Sequence, residues 1–189
     1  MKVGVLALQG AVTPHLQKIE ALGATAVRVT NEAHLRSCDA LILPGGESTT
    51  MLKLIASTAL FEPLQAFFRQ KPVWGTCAGA ILLAAEVINP PQESFAAIQI
   101  RAERNAYGSQ LDSFTTDVFF TPLNKQITVD FIRAPKIYPL SKTVETLAVH
   151  NGDIVCCRQN NIVVSTFHTE LGASHDMHAW LIEHHFQSF

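Results

Sequence analysis

The chain has 189 residues, a formal net charge of −2, and 48% hydrophobic against 16% charged residues. That composition supplies a sizeable core for one domain spanning 1–189, and it speaks against a nucleic-acid footprint or a polybasic membrane patch. No apolar stretch approaches bilayer length, and the N-terminal run MKVGVLALQG is shorter than a signal peptide and lacks its cleavage site, so a cytoplasmic protein is expected.

The first half alternates strand and helix signals. Lys2 to Leu8 is an apolar run with β-branched Val, expected as a buried parallel strand. Thr13-Pro14 predicts a helix start with Thr13 as N-cap, and Leu16, Ile19 and Leu22 share its apolar face up to Gly23. Further strands are predicted over 24–29, 40–43 and 72–76. Ser48 is predicted to cap a helix carrying Met51, Leu52, Leu54 and Ile55, and another helix is expected over 61–69. The apolar run from Ala78 to Val87 predicts one helix directly after the strand at 72–76. In the second half, strands are predicted over 113–121, 126–134, 144–150, 154–158 and 162–167. Asn151-Gly152 is a hairpin turn and Ser174 to Phe186 a closing helix. The pattern implies an α/β fold of three layers: a central mixed, mostly parallel sheet flanked by helices, with a small antiparallel extension.

Among the four cysteines, Cys38, Cys156 and Cys157 adjoin or occupy buried strands and are expected to act as small hydrophobes. Their spacing suits neither a disulfide framework nor a metal site. Cys77 differs. Gly75-Thr76-Cys77-Ala78-Gly79 is the Cys form of a nucleophile elbow, in which a sharp strand-to-helix turn leaves no room for side chains two positions either side. There the helix end favours thiolate and offers backbone N–H groups, including that of Ala78, to an oxyanion. Alone, the pattern divides evenly between such an elbow and a small-residue packing motif.

His168 and Glu170 close an apolar strand two residues apart, so in extended chain both side chains point the same way. A carboxylate so placed orients one imidazole nitrogen and leaves the other for a thiol. Of the other histidines, His15 is expected on a helix surface, and His175, His178, His184 and His185 at the surface or partly buried around the last helix.

The segments LALQG (6–10), PGGEST (44–49), GTCAG (75–79), RNAYGSQ (104–110), FIRAP (131–135) and FHTE (167–170) together resemble the glutaminase subunit of pyridoxal 5′-phosphate synthase, one of the class I, triad-type glutamine amidotransferases with a flavodoxin-like sheet. The resemblance spans almost the whole chain, with the motifs in the family's order. It implies a Cys77–His168–Glu170 triad that hydrolyses L-glutamine to glutamate and ammonia through a thioester, with no metal or organic cofactor. It further implies substrate contacts at Gly45, Gly46, Glu47, Arg104, Ile132 and Arg133, and an oxyanion hole of Gly46 and Ala78 that responds to the partner through Gln9. The implied partner is a barrel-type synthase subunit in a large hetero-oligomeric ring, with ammonia passing by a protected route. Three other readings stay open: a glutaminase serving another ammonia-using synthase, a Cys-dependent esterase or peptidase on the same fold, and a non-catalytic binding subunit that kept the fold. One departure from the resemblance stands in the triad itself, where Thr169 replaces the family's usual Pro. Thr also favours extended backbone, so the triad is expected to survive.

Overall fold

A computed structural model describes residues 1–106 and 113–188. In chain order, the first half holds β1 (Lys2–Leu6), α1 (Val12–Ala21), β2 (Thr25–Val29), α2 (Glu32–Arg36), β3 (Ala40–Leu43), α3 (Ser48–Ser57), α4 (Phe61–Phe68), β4 (Val73–Thr76) and α5 (Ala78–Leu83). Then follow β5 (Ala84–Ile88), β6 (Ile98–Glu103), β7 (Ser113–Phe120), β8 (Lys125–Ile132), β9 (Lys136–Pro139), β10 (Glu145–His150), β11 (Asp153–Gln159), β12 (Ile162–Ser165) and α6 (Asp176–Trp180). A π-helical turn over Leu181–His185 extends α6.

The main sheet runs β2-β1-β3-β4-β12-β11-β10-β7-β8. Its first five strands pair in parallel and the rest antiparallel, so the expected antiparallel extension continues from the same sheet. Alternation along the central strands builds two cores. Leu41 and Leu43 face the core under α3, α4 and α5, while Ala40 and Ile42 face the one under α1 and α6. Each fully buried Leu or Ile stabilises the fold by roughly 1.5–3 kcal/mol relative to exposure.

The antiparallel half curls back on itself. Asp130 of β8, at the far edge, exchanges backbone hydrogen bonds with His168 beyond β12: its N–H reaches the His168 carbonyl at 2.9 Å, and the His168 N–H reaches its own at 2.7 Å. A separate three-stranded sheet, β5-β6-β9, packs outside α5 and delivers Arg104 at the end of β6.

Several boundaries differ from expectation. The apolar run from Ala78 ends as helix at Leu83, where Ala84 turns extended (ψ 150°) and the chain pairs with β6. A fully buried run has no periodicity to separate helix from strand. Helix α1 begins two residues early: Ala11 is its N-cap, and the Thr13 hydroxyl instead accepts a hydrogen bond from Arg28. Its buried face holds Val12, His15, Lys18 and Ile19, whereas Leu16 and Leu22 are half-buried. Glu47, not Ser48, caps α3. The hairpin at Asn151-Gly152 forms as expected, with both residues at positive φ.

Candidate active site

Parallel pairing of β4 with β12 sets Thr76 beside Ser165. The residues that follow, Cys77 and the Phe167-His168 segment, therefore emerge at the same edge of the sheet, at the carboxyl ends of adjacent strands where open α/β sheets bind ligands. Three hydrogen bonds tie the two ends together. The Cys77 N–H donates to the Ser165 carbonyl (2.8 Å), the Thr76 hydroxyl to the Phe167 carbonyl (2.6 Å), and the Trp74 indole N–H to the Ser165 hydroxyl (3.1 Å). Residues 91 positions apart in sequence thus meet through backbone register.

Cys77 has φ 50° and ψ −103°, a left-handed conformation costly for a residue with a Cβ. The flanking glycines permit it. A Cβ on Gly75 would stand 2.7 Å from the Gly79 carbonyl, and one on Gly79 would collide with the Leu43 carbonyl. Cys77 is 7% exposed at the head of α5, its thiol has the Ile132 carbonyl 4.0 Å away, and it lies near enough to the His168 imidazole to affect that group's pKa.

His168 Nδ1–H donates to Glu170 Oε1 at 2.6 Å, leaving Nε2 for the thiol. Burial alone would lower the imidazole's pKa. The Cys77 and Glu170 contacts outweigh it and raise the pKa, so the imidazolium is favoured. Glu170 is likewise pushed up by burial, yet it is held below the usual carboxylate range by the His168 hydrogen bond and the imidazoles of His15 and His168. Its second oxygen accepts the Thr169 N–H at 3.0 Å. A Pro at 169 could not make that bond, so Thr adds a donor to the triad carboxylate. The Thr169 hydroxyl is buried and has no hydrogen-bond partner among the described residues.

The cleft beside Cys77 has a volume of about 130 Å³ and is lined by Gly46, Glu47, Ser48, Ile81, Arg104, Asn105, Ile132, Arg133 and Pro135. Ligand sites for drug-sized molecules hold roughly 300 Å³ or more, so this cleft suits an amino acid better than a peptide or nucleotide. Gly45 lies against the catalytic-type imidazole, where a Cβ would strike the His168 ring. Glu47 accepts hydrogen bonds from the Thr49 and Thr50 N–H groups (3.1 and 2.7 Å) and from both hydroxyls. Burial opposes its charge, but these bonds hold its pKa at about 2. Arg104 faces it at 3.5 Å. Gln9 Oε1 accepts the Glu47 N–H at 3.0 Å, which fixes the Gly45-Gly46 loop against the Gln9-Gly10 turn. The Ala78 N–H lies in the first turn of α5, where helix geometry leaves donors free of intrahelical partners. Every site residue expected from sequence therefore gathers at this edge. Of the RNAYGSQ segment, Tyr107 to Gln110 lie outside the described residues.

Sequence reasoning missed what stands behind the triad. His15 and His178 are 0% and 1% exposed, not surface residues, and their rings meet Trp74 edge-on at 5.2 and 5.1 Å. His185 is also buried, whereas His175 and His184 are exposed. A signal for His15 existed: it falls on the same helical face as Val12 and Ile19, three before and four after.

Relatives bear the same stamp. A pyridoxal 5′-phosphate synthase subunit PdxT of Haemophilus ducreyi is 48% identical over 169 residues, covering 89% of this chain and 88% of that protein. The subunit of the same name from Bacillus cytotoxicus is 44% identical over 184 residues, covering 97% and 94%. A crystal structure of a glutamine amidotransferase superposes with a TM-score of 0.89 at 37% identity, over 96% of this chain and 97% of that one. PurLQS from Thermotoga maritima, at 15% identity and a TM-score of 0.63 over 89% and 87%, shares the fold. Residues 5–187 match the SNO glutamine amidotransferase family, and the chain belongs to that family.

Proposed function

We propose that the chain hydrolyses L-glutamine to L-glutamate and ammonia and supplies the ammonia to a synthase subunit that makes pyridoxal 5′-phosphate. The observation that carries the chemistry is the strained Cys77 elbow beside a buried His168–Glu170 pair, facing an amino-acid-sized cleft. The 48% and 44% identical relatives are named as subunits of that synthase, which supports the acceptor.

In this reading the Cys77 sulfur attacks the side-chain amide carbon of glutamine. Backbone N–H groups of Gly46 and Ala78 hold the oxyanion. His168 protonates the departing ammonia, leaving a γ-glutamyl thioester, then takes a proton from the water that hydrolyses it. Glu170 fixes the imidazole tautomer and stabilises its cation. Glu47, kept ionised by its cap bonds, faces the substrate α-ammonium, and Arg104 or Arg133 the α-carboxylate. A zwitterionic amino acid thus inserts between the charges of the Glu47–Arg104 pair, with Ile132 lining the side.

The partner is a barrel-type subunit in a hetero-oligomeric ring, in the cytoplasm, and its docking acts on the Gly46 loop through Gln9, whose amide already holds the Glu47 N–H. Glutamate release is measured for wild type and Cys77→Ala, each with and without the synthase subunit. Wild type is expected to be active with the partner present and Cys77→Ala inactive throughout; activity persisting in Cys77→Ala refutes the nucleophile. Ester or peptide hydrolysis in place of glutamate release refutes the substrate.

A further inference from the structure

Behind the triad, a buried chain joins Glu170 to two imidazoles that the mechanism does not use. His15 Nδ1 and His178 Nε2 are 2.9 Å apart, and His15 Nε2 faces Glu170 Oε2 at 3.8 Å. The groups belong to α1, to α6 and to the segment after β12. At 3.8 Å the last contact is electrostatic, longer than a hydrogen bond, but both side chains are fully buried, where such contacts are strong.

The two imidazoles share one proton across their contact, and only two arrangements exist. If His15 carries it on Nδ1, its bare Nε2 lone pair points at a carboxylate, and His178 keeps a buried Nδ1–H that has no partner among the described residues. If His178 donates from Nε2, His15 carries its own proton on Nε2, aimed at Glu170. His178 Nδ1 is then a bare acceptor. Each arrangement leaves one ring N–H without a hydrogen bond among the described residues, so the Glu170 charge decides: a polar N–H turned toward the carboxylate at 3.8 Å is favoured over a lone pair turned toward it. We propose that His15 and His178 are positioning residues for the triad, a relay of aligned N–H dipoles that holds the Glu170 carboxylate ionised and turned toward His168.

The surrounding charges agree. His15 faces Glu170, His168 and Lys18, while His178 faces His15, Lys18 and His175. Lys18 spends its ammonium on the Gly172 and Ser174 carbonyls at 2.6 and 2.5 Å, which pins the loop following Glu170. Burial brings His15 down to about 4, so near neutral pH it acts through its dipole, not through a full charge. An apolar side chain could fill the same space but could not orient a carboxylate.

The inference rests on Glu170 as the triad carboxylate, so its test has one readout that needs no turnover. Histidine-labelled chain is titrated by NMR to follow the His168 imidazole in wild type, His15→Leu and His15→Gln. The Gln amide reaches the Nε2 position and restores a donor. In His15→Leu the His168 titration is expected to move down by about one pH unit as its carboxylate partner weakens, and in His15→Gln to return toward wild type. With the synthase subunit present, His15→Leu is expected to lose roughly tenfold in kcat with little change in KM, and Gln to recover most of it. A His168 titration unmoved in His15→Leu, or displaced alike in both variants, overturns the proposal and leaves the histidines as packing. If His15→Leu does not fold, His178→Leu and His178→Gln are compared in the same way. Failure of the glutaminase reading shows separately, as wild type that releases no glutamate.

Discussion

The Thr76 hydroxyl donates a 2.6 Å hydrogen bond to the carbonyl of Phe167, with both residues fully buried. One lies just before the Cys77 elbow and the other just before His168, so the bond sets the distance between thiol and imidazole. Thr76→Val keeps the volume and removes the donor. It is expected to cost about 1–2 kcal/mol, a fall of roughly 4 °C in Tm. Loosening the pair also lowers kcat more than it raises KM. Calorimetry and steady-state glutaminase assays with the synthase subunit check both effects.

Gly45 packs against the His168 ring so closely that an added Cβ meets its Cε1 atom. Gly45→Ala is therefore expected to turn the imidazole away from Cys77 and to reduce kcat/KM by more than about 100-fold. Gly45 is buried, but Gly46 and Glu47 after it are exposed, so the loop has room to give and Tm is expected to change by only a few degrees. A variant with wild-type kcat/KM contradicts the assigned base.

How far the sequence revealed this molecule follows from what each signal encodes. The strands at 40–43 and 73–76 were legible because short, wholly apolar runs between turn residues have few other homes. The Cys77 elbow and the adjacent His168–Glu170 pair were legible because the flanking glycines and the two-residue His–Glu spacing are local patterns. Strand β5 was not, since Ala84 to Ile88 continues the apolar run of α5 and only pairing with β6 makes it extended. Strands β6 and β9 likewise owe their form to partners distant in sequence, whereas α2 carries a local signal, the Asn31 cap and the Glu32–Arg36 pair, that the sequence reading passed over. Glu47 stood in the motif, but its role as the α3 cap depends on the loop geometry that aims it at Thr49 and Thr50. His15 had a local sign, its place on the Val12–Ile19 face of α1, but the burial of His178 and the meeting of the two rings are facts of the α1–α6 contact across Trp74, which no single-helix pattern contains.

Thr169 offers a gain in stability. Its hydroxyl is buried without a partner among the described residues, while its backbone N–H serves Glu170. Thr169→Val keeps the shape, the extended backbone and the N–H, and removes only the stranded hydroxyl. It is expected to stabilise the protein by about 1 kcal/mol and to leave glutaminase activity within twofold. Urea denaturation measures the first and the coupled assay the second. Destabilisation by a similar amount means that the hydroxyl has a partner in solution.

The buried imidazoles set how the fold responds to acid. Burial is the leading cause that lowers His15 to about 4, His178 well below 6.5 and His185 to about 4. Above 6.5 these groups are neutral in both folded and unfolded chains and contribute nothing to pH dependence. As pH falls below 6.5 the unfolded chain takes up protons that the folded chain refuses, so stability drops by about 1.4 kcal/mol per pH unit for each group, down to its folded pKa. His168 does not blur this window. Its folded pKa is raised to about 10, so its contribution is fully present below 6.5 and is lost only as pH climbs from there toward 10. The depressed carboxylates Glu47, Glu170 and Asp176 act lower, where stability present above their ordinary values near 4 is lost on further acidification. Urea midpoints are thus expected to rise as pH falls from 7.5 to 6.5, where His168 regains its contribution, and to fall steeply from 6.5 to 5. His15→Leu should reduce that slope by roughly a third, because one of three refused protons is gone. An unchanged slope in that variant means that His15 is already protonated in the folded protein.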